Sequence, residues 1–292
     1  VQREWHIGVI GGSGLYADIG LEDAQQIAVQ SPFGVPSGPV TVGRIGPVRF
    51  SFIARHGEGH PLPPSSVNYR ANVDVLKRCG VTDILAISAV GSLQEQFAPG
   101  DFVAVDQMID RTTGRERSFF GPGLVAHVAL ADPVCHRLSE LVGDGAERAG
   151  ATVHRGGCYV AIEGPQFSTR AESRMYRQWG ADVIGMTGMP EARLAREAEL
   201  PYAMLAMVTD YDSWRDSEAG VEVSEVLAVV KANADLARGA LQRLAQLLPA
   251  KRTPSPADTA LDGALVTSPD KHDPALWARL DAVARRLLAT PE

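Results

Sequence analysis

An apolar run from Tyr202 to Val208 stops abruptly at Thr209-Asp210-Tyr211-Asp212. A strand-length run without polar alternation predicts a parallel strand buried on both faces. Ile7–Ile10, Thr82–Ala89, Phe102–Val105, Cys158–Ile162 and Asp182–Ile184 read as further strands. Val40–Val42 and Val48–Ile53 read as a hairpin, with Gly43 and Gly46-Pro47 at the turn. Between them lie helical patterns over Asn68–Cys79 and Pro133–Ala149, closed by Gly80 and Gly150, and a short helical turn at Leu93–Phe97. Thr169 and Glu172 form a capping box for a helix to Trp179, and Pro190 opens another at its first position. Val226–Leu248 carries one apolar face, with Leu227, Val230, Ala237, Leu241 and Leu244 on it. Strands alternating with helices predict an α/β fold. Residues 249–273 are rich in Pro, Ser and Asp and read as a linker. Residues 274–292 read as a last amphipathic helix, with Leu276, Leu280, Val283 and Leu287 on its stripe.

A chain of 292 residues supports one α/β domain with a tail, here residues 1–248, or two domains. A net charge of −7 offers no basic stripe for nucleic acid. No apolar run approaches the ~20 residues of a membrane span. The start VQREWHIGVIGG lacks a signal-peptide pattern, and the three cysteines are far apart without CxxC spacing. These features predict a protein of the reducing cytoplasm, with no membrane partner.

The strand ends carry the chemistry. Gly12-Ser13-Gly14 follows the first strand, where exposed backbone N–H groups suit a phosphate. The same stretch fits the dinucleotide pattern GxGxxA, but turn-rich SPFGVPSGP follows where a helix and an acid are required. Arg55-His56 closes another strand, and an arginine beside glycines is a fork for phosphate. The HGEGH spacing of His56 and His60 suggests a metal pair, but its glycines and the prolines after it remove the helix such a pair needs. Ser88 and Thr187 add hydroxyls beside glycines, Thr187 close to a helix N-terminus. Phe167 and Met186 are flat or soft apolar groups fit for a base and a sugar. Asp210 and Asp212 are acids at the carboxyl end of a buried strand, where open α/β sheets place their chemistry. Each feature alone admits a plain structural reading, such as an Asx turn, a tight turn or a surface ion pair. His127, in an apolar neighbourhood, reads from its surroundings as a packed histidine. Together the set points to one oxyanion site beside a base-binding site, and so to phosphorolysis of a nucleoside. No P-loop pattern occurs.

The motifs VIGGSGLY, ARHGEGH, PPSSVNYRANV, SAVGSLQE, PGDFVAVDQMIDRT, AIEGPQFSTRAE, ADVIGMTGMPEARLAREAELPYA and TDYDSW span residues 7 to 214. In them the chain resembles the 5′-methylthioadenosine phosphorylases of the trimeric purine nucleoside phosphorylase family. The resemblance implies a mixed, twisted central sheet partly closed into a barrel and flanked by helices, assembled as a homotrimer. It implies phosphate at Ser13, Arg55, His56, Ser88 and Thr187, and ribose at Met186 and Ala89. It implies a purine stacked on Phe167 and read by Ser168, Asp210 and Asp212. A 5′-methylthio pocket would be lined by Val221, Val223 and a neighbouring subunit's His127. Phosphate is then a co-substrate, and no metal or organic cofactor is needed.

A carboxylate at position 210 accepts from a 6-amino group and repels a 6-oxo group, which favours 6-aminopurines. A protonated Asp210 would supply N7 of the departing base. The alternatives are a methylthioinosine or other 6-oxopurine phosphorylase, a hydrolytic nucleosidase, and a nucleoside binder without catalysis.

Overall fold

The computed structural model describes residues 4–12, 19–216 and 220–288. In chain order the strands are β1 (His6–Gly11), β2 (Glu22–Ile27), β3 (Val40–Ile45), β4 (Val48–Ala54), β5 (Asp83–Ser92), β6 (Phe102–Ala104), β7 (Gln107–Asp110), β8 (Val153–Arg155), β9 (Cys158–Ala161), β10 (Val183–Gly185) and β11 (Tyr202–Asp210). The α-helices are α1 (Tyr69–Arg78), α2 (His136–Arg148), α3 (Arg170–Gln178), α4 (Gly188–Glu197), α5 (Val223–Leu247), α6 (Pro274–Arg279) and α7 (Arg285–Leu288).

All eleven strands among the described residues join one mixed sheet that forks at β5. One edge of β5 pairs parallel with β1 over residues 83–87, and then antiparallel with β10 at Gly91 and Ser92. The other edge pairs parallel with β11 from Ile84 to Gly91. The branch through β1 continues to β4, β3 and β2, that through β10 to β9 and β7, and that through β11 to β6 and β8. The predicted mixed, twisted α/β sheet flanked by helices is thus the observed one.

The two trunk strands are buried almost throughout, as continuous apolar runs require when helices cover both faces. Helices α2 and α5 pack on each other and on β11, while α1 packs on α4. Local signals set several boundaries. Asn68 caps α1 by accepting from the N–H of Ala71 at 3.0 Å, and the Thr169/Glu172 capping box at α3 is complete. Met189 keeps extended backbone (φ −119°, ψ 137°), so regular helix starts at Pro190.

Some expectations need correction. Leu93–Phe97 forms turns and no helix. Strands β2, β7 and β8 were not foreseen. Residues 274–288 do not form one continuous helix, because the chain turns between α6 and α7; residues 289–292 lie outside the described residues. The stripe is used all the same, with Leu280 and Val283 fully buried in the main core. Residues 249–273 are coil and short turns docked on the domain. Buried Arg252 donates to Asp83 at 2.6 Å and to Asp258 at 2.7 Å, and Leu261 joins the core.

Candidate active site

A cavity of about 480 Å³ opens where β1, β4, β5, β10 and β11 end. Its wall brings together nine of the residues singled out from sequence: Arg55, His56, Ser88, Ala89, Phe167, Met186, Thr187, Asp210 and Asp212. Ser13 lies outside the described residues, although its neighbour Gly12 is on the wall. Ser168 is buried just behind Phe167 but is not part of the wall. Val221, Val223 and His127 do not reach the cavity within one chain. Val223 is 59% exposed, and Val226, one helical turn on, lines the cavity instead. Pro61, Pro63 and Pro64 supply more apolar wall. His127 is exposed, on a segment that bridges to Leu265.

At one end of the cavity, Arg55 is buried against a partner that its sequence did not reveal. Its Nε and Nη2 donate to the Glu191 carboxylate at 2.8 and 3.0 Å, and Nη2 also reaches the Ile10 carbonyl at 3.3 Å. Tyr202 donates its hydroxyl to the same carboxylate at 2.9 Å. Burial alone would disfavour the charged guanidinium, but Glu191 outweighs it, so Arg55 stays cationic. Only Nη1, with a long contact of 3.4 Å to the Ile87 carbonyl, keeps capacity for an anion.

His56 Nδ1 lies 2.9 Å from the Leu62 carbonyl, which can only accept. The proton is therefore on Nδ1, and Nε2 is the ring's acceptor. Burial, with Arg55 beside it, lowers its pKa to about 4, so the ring is neutral. It stacks on His60, ring centroids 4.1 Å apart. Among the described residues no cluster of His, Cys, Asp and Glu is arranged to hold a metal ion. Ser88 Oγ and Thr187 Oγ1 are 3.4 Å apart and face one another. The Thr187 and Gly188 N–H groups, expected to be open to an anion, donate instead to buried Tyr159 Oη at 3.1 and 3.2 Å. The hydroxyls, rather than the helix N-terminus, are what this loop offers.

At the other end, Asp210 Oδ1 accepts from the Asp212 N–H at 2.8 Å and Oδ2 from the Thr209 hydroxyl at 2.7 Å. Burial nevertheless raises its pKa, against those hydrogen bonds. Asp212 has the left-handed φ of +47° and is 7% exposed. Burial, with the negative charges of Asp210 and Glu172 adding to it, raises its pKa to about 6. Its Oδ2 has no close hydrogen-bond partner, nor has the buried hydroxyl of Ser168; the Ser173 hydroxyl, on α3, lies beside the Asp212 carboxyl and works against the rise in its pKa. Such atoms are costly unless a ligand or water completes them.

Sequence reasoning passed over Glu191, Tyr159, Val226 and Arg115. An acid in the first turn of a helix ordinarily complements the helix dipole, so Glu191 carried no distinguishing signal.

The family model for the phosphorylase superfamily matches residues 6–246. The chain belongs to the phosphorylase superfamily. It is 55% identical over 284 residues to the S-methyl-5′-thioadenosine phosphorylase of Cereibacter sphaeroides, covering 97% of this chain and 98% of that one. It is 52% identical to that of Bradyrhizobium diazoefficiens over 97% and 98% of the two chains. Among solved structures, a methylthioadenosine phosphorylase from an Antarctic soil metagenomic library superposes with a TM-score of 0.90 at 44% identity, covering 96% of this chain and 99% of that one. The Schistosoma mansoni methylthioadenosine phosphorylase in complex with adenine gives 0.78 at 39% identity, over 84% and 91%.

Proposed function

We propose that this protein cleaves 5′-methylthioadenosine with inorganic phosphate, giving adenine and 5-methylthioribose 1-phosphate. The observation that carries the reading is one cavity holding a protonatable, buried acid pair at one end and a cluster of His56, Ser88, Thr187 and the Arg55 guanidinium at the other. The shared name of the relatives supports the same substrate.

In this reading the bond between the anomeric carbon and the purine N9 breaks as phosphate oxygen bonds to that carbon. The sugar becomes cationic in the transition state, and the phosphate dianion stabilises it. The electron pair leaves with the purine, which gains the Asp210 proton at N7. Neutral His56 offers its Nε2 lone pair as a hydrogen-bond acceptor for the P–OH group. The sugar phosphate then releases that proton to solvent, and solvent returns one to Asp210, so protons balance over the turnover. Phe167, 39% exposed, offers its ring to the base, and Asp212, on the cavity wall, offers its carboxyl to the base's edge. The reading needs no metal or organic cofactor.

We read residues 1–248 as the catalytic unit, with 249–273 and the final helical turns as an extension docked on it. The active form is read as a cytoplasmic homotrimer in which a neighbour's His127 completes the 5′ pocket. Supporting this, Val125 and Val266 are 37% and 60% exposed beside His127, an apolar surface suited to a second copy. The test is release of free base from methylthioadenosine, methylthioinosine and inosine, with and without phosphate. Adenine released only with phosphate is expected. Release without phosphate overturns phosphorolysis, and preference for inosine overturns the aminopurine assignment.

A further inference from the structure

One buried cation has no part in the chemistry above. Arg115 follows β7 in a polar loop with Arg111 and Arg117, and its side chain is 1% exposed. Its guanidinium bonds to three segments behind the cavity, and one of its partners, Met186, lines it. Nη1 donates to the carbonyls of Met186 and Met189 at 2.6 and 2.8 Å, and contacts Tyr69 Oη at 3.0 Å. Nη2 donates to the Glu163 carbonyl at 2.8 Å, and Nε to the Glu163 carboxylate at 3.2 Å. Tyr69 in turn donates to the Pro64 carbonyl at 2.9 Å. The loops carrying Pro64, Phe167 and Met186-Thr187 are thus tied to one planar group.

The Met186–Thr187 peptide is gripped at both ends. Its carbonyl accepts from Arg115 and its N–H donates to Tyr159 Oη at 3.1 Å. A planar peptide held at both polar atoms has little freedom to rotate, so the direction of the Thr187 side chain is set by it.

We infer that Arg115 is a positioning residue, holding the Phe167 loop and the Thr187 loop in register so that base and anion are presented to each other correctly. The inference rests on the proposed reaction of this cavity. Lysine is not an equivalent, because a compact ammonium cannot span acceptors on three separate segments as a planar fork does.

The test compares wild type, Arg115→Lys, Arg115→Ala and Tyr69→Phe, measuring kcat and the KM of methylthioadenosine and of phosphate separately, with melting temperature and circular dichroism. A misplacement of about 1 Å is worth roughly 100-fold. Arg115→Lys is therefore expected to fold and to lose about that much in kcat/KM, with both KM values raised together. Arg115→Ala is expected to regain part of its rate when millimolar guanidinium, but not methylammonium, is added. Tyr69→Phe removes one link and is expected to move both KM values by a smaller factor in the same direction. Folded Arg115→Lys with wild-type constants overturns the inference. If both Arg115 variants fail to fold, Tyr69→Phe decides: raised KM values uphold positioning, and unchanged ones reduce Arg115 to a structural role. A wild type that releases no base with phosphate present fails the proposed reaction itself, which is a separate result.

Discussion

Two buried carboxylates behind the same cavity are treated in opposite ways. Glu191 is 1% exposed and fully partnered: Arg55 holds both its oxygens and Tyr202 donates to one of them. Asp212 is 7% exposed, has an oxygen with no partner, and has Asp210 and Glu172 as negative neighbours. The Glu191–Arg55–Tyr202 network behind the end proposed for the anion is therefore satisfied within the protein. At the end proposed for the purine, Asp212 Oδ2 is not, and a ligand or water would complete it. A buried polar network is rigid when satisfied and strained when it is not, so the first end fixes geometry and the second stores protons.

The comparison breaks first at Glu191. Glu191→Ala leaves the Arg55 guanidinium buried without its counter-charge, which costs about 3–5 kcal/mol of stability. Added phosphate should recover part of the loss in thermal melts, because it binds the folded state only. A variant as stable as wild type would mean that the pair at the anion end is not holding the wall. The purine end answers through rate rather than stability. Asp210→Asn removes the proposed proton donor and is expected to lower kcat on 6-aminopurine nucleosides by roughly 10²–10⁴-fold, with little change in melting temperature. Unchanged turnover would show that another group protonates the base.

The same contrast explains what the sequence could be made to tell. Arg55, Thr187 and Asp210 were legible because each lies at or just past the end of a buried strand, and strand ends of one sheet converge; Ser88 was read as a strand end too, but β5 continues past it to Ser92. The trunk strands were legible because Val9, Ile84, Leu205 and their neighbours form runs too apolar for any exposed element. Strand β2, EDAQQI, was not, since five of its six residues are exposed and hydrogen bonds to β3, rather than burial, hold it. Arg115 and Glu191 were illegible for another reason. Their partners are backbone carbonyls or a residue 136 positions away, and no local pattern announces either. The stripe at Leu276, Leu280 and Val283 correctly announced burial but not the turn after Leu280, because a broken pair of helical turns can present the same residues to the core.

A smaller change sharpens the contrast at the junction of β5, β10 and β11. A Cβ on Gly91 would lie 2.9 Å from Asp210 Oδ1, 3.0 Å from Ile184 Cγ2 and 3.2 Å from Asp212 Cβ. Asp210 Oδ1 is held by the Asp212 N–H, and Ile184 Cγ2 and Asp212 Cβ lie next to the backbone, so none can swing aside freely. Gly91→Ala should cost about 1–3 kcal/mol through overpacking. It should also reduce turnover on the nucleoside while leaving the KM of phosphate unchanged, since the groups it presses on are the acid pair and Ile184, and none of the residues proposed to hold phosphate. An equal rise in the KM of phosphate would show that the two ends move together.

The last test asks whether Asp212 is as strained as its surroundings imply. Its folded pKa is raised from 3.8 to about 6, with burial the main cause. Below the unfolded value both states hold the proton, and the group costs nothing. As pH rises from about 4 to about 6 the unfolded chain ionises first, so the folded state loses stability, and above that range the penalty is constant. Asp212→Asn carries no such penalty. Its stability should be near that of wild type at pH 4 and above it at pH 8, by up to about 3 kcal/mol, while turnover falls. That is the reverse of the result expected at Glu191, where deleting a carboxylate weakens the fold. If Asp212→Asn is instead destabilised at pH 8, the unpartnered oxygen is satisfied in solution, and the purine end is as complete as the anion end before the nucleoside binds.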